Sequence, residues 1–210
     1  MCRCLYVVDP ASNLYTIDPA TASPRTVGSV GSANVTDIGF HGPTLYGVSF
    51  SQLLRIDPDT ATGTAIGSIG FTTNGLAVAS DGTIYAGTTA GELITVNPVT
   101  GAGTLVGSFG GGLTSSGDLV LDSNDVLYGA LNQGGTVVLA RVDRASGAAT
   151  VIGPTGRPNV YGLAFLCCHL YGTTERGELL HINVASGAAT IVGRNGLTQW
   201  GMAARPCCGC

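Results

Sequence analysis

At 210 residues and 44% hydrophobic content, the chain is long enough to enclose one sizeable core. Charged residues supply only 10% of it, and nine Lys and Arg against thirteen Asp and Glu give a net charge of −4. That leaves no basic stripe to hold nucleic acid, and no apolar run approaches the ~18 residues of a membrane-spanning helix.

In chain order, Met1 runs through Cys2 straight into CLYVVDP, a strand ended by Asp-Pro, with no signal-peptide pattern before it. Leu14 then opens LYTIDPATASPRTVG, the first of five copies of one phrase. The others are LLRIDPDTATGTAIG from Leu53, LITVNPVTGAGTLVG from Leu93, LARVDRASGAATVIG from Leu139 and LLHINVASGAATIVG from Leu179, at steps of 39, 40, 46 and 40 residues. A second phrase keeps the same period at Leu5-Tyr6, Leu45-Tyr46, Ile84-Tyr85, Leu127-Tyr128 and Leu170-Tyr171. Two phrases with one period near 40 mean one supersecondary unit repeated, at the length of a propeller blade.

The unit from Asn74 shows the internal plan: GLAV, turn SDG, TIYAGTT, turn AG, ELITVNP, turn VTG, AGTLVGSFG. Val, Ile, Thr and Tyr fill the runs while Gly, Asp, Asn and Pro separate them, which predicts four strands, A to D from the axis outwards, and almost no helix. Asp18, Asp57, Asn97, Asp143 and Asn183 end each C strand as turn-bonding Asx residues, and Gly28, Gly67, Gly107, Gly153 and Gly193 mark strand ends or bulges. The acidic turn from Asp122 to Asp125 reads as a hairpin turn rather than a calcium loop. The chain begins with a B strand and ends with QWGMAA, which aligns with the A strand YGLAF. The last strand therefore supplies what the first blade lacks. The expected fold is all-β: one domain over residues 1–210, a five-bladed β-propeller of four antiparallel strands per blade, its first blade closed by the C-terminal strand.

The phrase LYxIDPxTGxxTxIG, followed by a GLAF-like run and LYG, resembles the repeats of bacterial secreted propellers, a family without an assigned activity. The resemblance spans nearly the whole chain. It implies the fold and leaves activity open, since propellers carry lectins, hydrolases, scaffolds and cofactor enzymes alike.

The seven cysteines are Cys2, Cys4, Cys167, Cys168, Cys207, Cys208 and Cys210. In a closed ring all fall at the A–B turns of two neighbouring blades, on one face. Three readings stand. Disulfides staple the closing seam, where a loop of ~200 residues would give ~4–5 kcal/mol. An odd cysteine bonds a partner molecule. Or thiolates, with His169 nearby, hold zinc or copper(I).

The opposite face, made by D–A connections, carries Asn34, Asp37, Asn74, Asp118, Asn159, Tyr161, Gln199 and Trp200. Amides and carboxyls beside two aromatics suit a neutral sugar, although the same residue types also cap strand ends. Asp37 and Asp118 belong to nonadjacent blades and could meet across the channel as a glycosidase pair. The three histidines are scattered, and no nucleophile–base pair or phosphate loop is present. The expectation is therefore a non-enzymatic structural propeller, extracellular or on the cell surface. It associates with itself, as a filament or surface assembly, and needs no cofactor unless a metal sits at the cysteines. The alternatives are a lectin-like glycan-binding module and, less favoured, a glycan hydrolase.

Overall fold

The computed structural model describes residues 5–205. Twenty strands form five four-stranded antiparallel sheets. Blade 1 holds β1 (Leu5–Val8), β2 (Asn13–Ile17) and β3 (Pro24–Ser29). Blade 2 holds β4 (Val35–His41), β5 (Thr44–Ser49), β6 (Gln52–Ile56) and β7 (Gly63–Ser68). Blade 3 holds β8 (Thr73–Val78), β9 (Ile84–Thr88), β10 (Glu92–Val96) and β11 (Gly103–Ser108). Blade 4 holds β12 (Thr114–Leu121), β13 (Leu127–Gln133), β14 (Thr136–Val142) and β15 (Ala149–Pro154). Blade 5 holds β16 (Val160–Leu166), β17 (His169–Thr174), β18 (Glu178–Ile182) and β19 (Ala189–Arg194). The final strand, β20 (Met202–Ala204), pairs with β1 in the register Leu5↔Ala204, Tyr6↔Ala203, Val7↔Met202 and becomes the inner strand of blade 1. The ring is closed as the repeat alignment requires, and no helix occurs among the described residues.

The core lies between blades. B and C strands bury apolar residues on both faces, as in LYVV of β1 and IYAGT of β9, which are buried throughout. The outer strands have only one neighbour and expose half their residues.

Two repeated devices join the blades. Each C–D turn is an Asx turn: Asp18 Oδ1 accepts from the Ala20 and Thr21 N–H groups, and Asp57, Asn97, Asp143 and Asn183 do the same. That turn packs on the outer-strand glycine of the preceding blade. A Cβ on Gly67 would lie 2.0 Å from the Thr100 carbonyl oxygen, and one on Gly107 2.0 Å from that of Ser146. Just before each of these glycines the ladder skips one residue, so they stand at bulges. The second device is a belt of backbone hydrogen bonds linking successive outer strands: Gly63 N–H to Val30 O, Gly103 to Ile69, Ala149 to Phe109 and Ala189 to Thr155, at 2.9–3.0 Å. Pro24 stands at the fifth joint, between blades 5 and 1, and has no N–H to donate. The belt thus lacks this bond at the perimeter joint between blades 5 and 1.

Candidate functional site at the channel mouth

The inner strands β20, β4, β8, β12 and β16 surround the axis. One repeat position on them is held, in ring order, by Gly201, Asp37, Gly75, Asp118 and Gly162. An inner strand is a sheet edge, and its axis-facing N–H groups have no further strand to bond. The two aspartates take that role. Asp37 Oδ1 accepts from the Ile38 N–H at 2.8 Å, and its Oδ2 from the Leu76 N–H of the next blade at 2.6 Å. Asp118 Oδ2 accepts from the Leu163 N–H, again one blade on. The N–H groups of Met202 and Leu119 face the same carboxyl. Donors from all five blades therefore converge on two carboxyls. The glycines leave them room: a Cβ on Gly201 would lie 2.5 Å from Asp37 Oδ1.

Asp37 and Asp118 do meet across the channel, as the two-carboxyl reading requires, and they interact directly. Both are 0% exposed. Burial raises Asp37 well above the usual carboxylate range, and the facing Asp118 charge raises it further. Burial also raises Asp118, while hydrogen bonds from Asp37 and from the backbone oppose the rise. Two carboxylates this close cannot both ionise, so the pair keeps a proton above the pH at which a lone Asp loses it. The pair forms a plug that ties the five blades at the axis.

Two cavities flank the plug. On the D–A face lies one of about 240 Å³, lined by Thr36, Phe50, Asn74, Ser116, Gly117, Tyr161 and Trp200. The backbone explains why these residues face it. The A–B ladder shifts register between Val35 and Asp37, Thr73 and Gly75, Ser115 and Leu119, and Val160 and Gly162. The residues skipped by the ladder include Thr36, Asn74, Ser116 and Tyr161. A bulge at one place in every continuous blade thus re-aims one or more residues to the mouth. In blade 1, Trp200 donates its backbone N–H to Val8 O at 2.9 Å and lines the mouth. Phe50, the only aromatic in a B–C turn, stands edge-on to Trp200 with centroids 6.3 Å apart. Burial, then the Glu175 charge, raises the Tyr161 hydroxyl above its ordinary value.

Of the residues expected on this face, Asn74, Tyr161 and Trp200 line the mouth, and Asp37 and Asp118 form the plug. Asn34 is an exposed loop residue at φ 58°. Asn159 is exposed and donates its Nδ2 to Glu175 Oε2 at 2.7 Å. Gln199 is fully buried with both amide atoms unpartnered, so it points inward rather than to the mouth. Phe50 lay outside the sequence reading, which followed D–A segments only. Its signal was an aromatic in a turn class otherwise built from small and polar residues.

On the opposite face a wider bowl of about 550 Å³ has mostly apolar inner-strand walls and is bordered by His41, Asp122, Asp125, Cys167, Cys168 and Ala204. The Cys167–Cys168 turn of blade 5 and the seam strand of blade 1 therefore share one cavity, as ring closure implies. Both cysteines adopt positive φ, 46° and 66°. Cys2, Cys4, Cys207, Cys208 and Cys210 lie outside the described residues. The histidines are not all scattered: His169 and His181 meet with Nδ1 and Nε2 3.2 Å apart, because neighbouring strands β17 and β18 set them diagonally. Among the described residues, no three His, Cys, Asp or Glu side chains gather to hold a metal ion. The acidic turn is engaged internally, Asp122 Oδ1 accepting from Asn124 and Val126 and Asp125 from Ser80 of the preceding blade.

No family model matches the chain, and no curated protein does. Solved structures do. A chain of a nidogen/laminin complex superimposes with a TM-score of 0.69 at 10% identity, over 98% of this chain and 100% of that one. A structural-genomics protein of unknown function from Bacteroides thetaiotaomicron gives 0.60 at 12% identity, over 91% of this chain and 59% of that one. Kuenenia stuttgartiensis hydrazine synthase gives 0.53 at 15% identity, over 75% and 48%. At such identities likeness carries architecture alone, and the architecture is a five-bladed β-propeller closed by its last strand.

Proposed function

We propose that this propeller is a non-catalytic, extracellular building block that associates with further copies of itself through its outer edges. The observation that carries the reading is the character of three neighbouring outer strands. β7 (GTAIGS), β11 (GTLVGS) and β15 (ATVIGP) hold no charged residue, and Leu105 and Val151 on them are 53% and 36% exposed. Soluble proteins guard sheet edges with charges, proline or bulges. Here β3 begins with Pro24 and Arg25, and β19 ends with Arg194, but β7 and β11 have only the bulge at their far end. Their exposed first halves can pair antiparallel with the same strand of another copy, and the low charge offers little repulsion.

The paired thiols Cys167 and Cys168 suit disulfide formation, which fits an oxidising compartment outside the cytosol. They also fit the staple reading, since their turn borders the same cavity as the closing strand β20. A non-catalytic role is supported by the sealed state of the one carboxyl pair that could have served hydrolysis. Sedimentation velocity tests the reading. The wild type should show mass rising with concentration, and Leu105→Lys with Ala65→Lys should return it to monomer. A wild type that stays monomeric at millimolar concentration rejects it.

A further inference from the structure

The D–A mouth has a division of labour that packing alone does not require. Tyr161, Trp200 and Phe50 come from blades 5, 1 and 2, which are contiguous, and form an aromatic wall around three-fifths of the rim. Asn74 and Ser116 come from blades 3 and 4 and form a polar wall facing it. Both polar residues hold unsatisfied acceptors there. Asn74 donates its Nδ2 to Ser115 O at 3.4 Å, which leaves its buried Oδ1 without a partner. Ser116, only 7% exposed, has an Oγ with no partner. Buried polar atoms in folded proteins are normally satisfied, and each exception asks for an explanation. No Lys or Arg lines the cavity, so nothing in it would neutralise an anion.

From this we infer that the mouth binds one neutral, hydroxyl-bearing ring of hexopyranose size. The ring's C–H face stacks on Trp200 and its neighbouring aromatics, and its hydroxyl edge donates to Asn74 Oδ1 and Ser116 Oγ. The cavity volume of about 240 Å³ admits one such ring and not two. The sugar could arrive free or as the end residue of a polysaccharide, with the same chemistry at the site. This inference stands apart from the edge-pairing proposal and is tested on monomeric protein.

Trp200 is the only tryptophan in the chain, so its fluorescence reports the site without a label. The titration uses the methyl glycosides of glucose, galactose, mannose and N-acetylglucosamine, methyl glucuronide, and soluble dextran and galactomannan. A saturable change is expected with at least one neutral glycoside. Response to the matching polysaccharide as well assigns a chain-end ligand, and response to the glycoside alone assigns free sugar. Removing both acceptors, in Asn74→Ala with Ser116→Ala, should weaken binding about tenfold or more. Should that variant fail to fold, Phe50→Ala, a turn residue 40% exposed, serves in its place and should also weaken it. The inference is overturned if folded wild type gives no saturable change with any neutral probe, if glucuronide binds as tightly as glucoside, or if a folded variant binds undiminished.

Discussion

At the residue scale, the axial plug makes the most specific demands. Removing Asp37 in Asp37→Ala strands the Ile38 and Leu76 N–H groups in a buried site, and should cost about 3 kcal/mol in urea unfolding. The pH dependence follows from the raised carboxyls. The folded pair binds its proton more tightly than an unfolded Asp does. The stability this adds is full below the ordinary Asp value of about 3.9 and is lost as pH climbs through the raised value. The exposed turn residues Asp18, Asp57 and Asp143 act oppositely. Backbone N–H groups of the turn lower Asp18 and Asp57, and the Ser146 hydroxyl followed by backbone N–H groups lowers Asp143, so their contribution holds above the ordinary value and is lost as pH falls. Melting temperature measured from pH 4 to 9 should decline toward the alkaline end in wild type and decline less in Asp37→Asn. An equal slope in both would remove the shared proton. Gly67→Ala should destabilise by about 3 kcal/mol, because the new methyl meets a backbone oxygen that cannot rotate away.

At the element scale, the repeat phrases made strands, turns and blade number legible, since turn chemistry recurs at fixed offsets in all five units. The closing role of β20 was legible for the same reason, as QWGMAA matches YGLAF residue for residue in class. What the sequence could not display was the register shift in each inner strand. A bulge depends on how two strands pair, and Thr36, Asn74 and Tyr161 look like ordinary strand-start residues until the ladder skips them. Gln199 looked equally available and faces inward. The aspartates were visible as D–A residues, but their convergence with five backbone donors needed the ring in three dimensions. The gap in the outer belt at Pro24 makes the joint between blade 5 and blade 1, the blade closed by β20, the weakest in the ring. Amide hydrogen exchange under reductant should therefore show β1 and β20 losing protection before β9 and β10, with a stability loss of about 3 kcal/mol relative to the oxidised protein. Simultaneous loss in all blades would mean that the disulfides do not act at the seam.

At the scale of the whole molecule, the ring presents two faces and a perimeter with different chemistry. One face carries the Cys167–Cys168 turn beside the closing strand. The other carries a small aromatic and amide mouth. Around blades 2 and 3 the perimeter carries uncharged, partly apolar strand edges, while the outer strands of blades 1, 4 and 5 carry proline or arginine. That asymmetry predicts where copies meet and not merely that they do. The most direct test is amide hydrogen exchange read at rising protein concentration. Protection should increase at β7 and β11 and stay constant at β3 and β19. Exchange that is independent of concentration along all five outer strands would contradict the account.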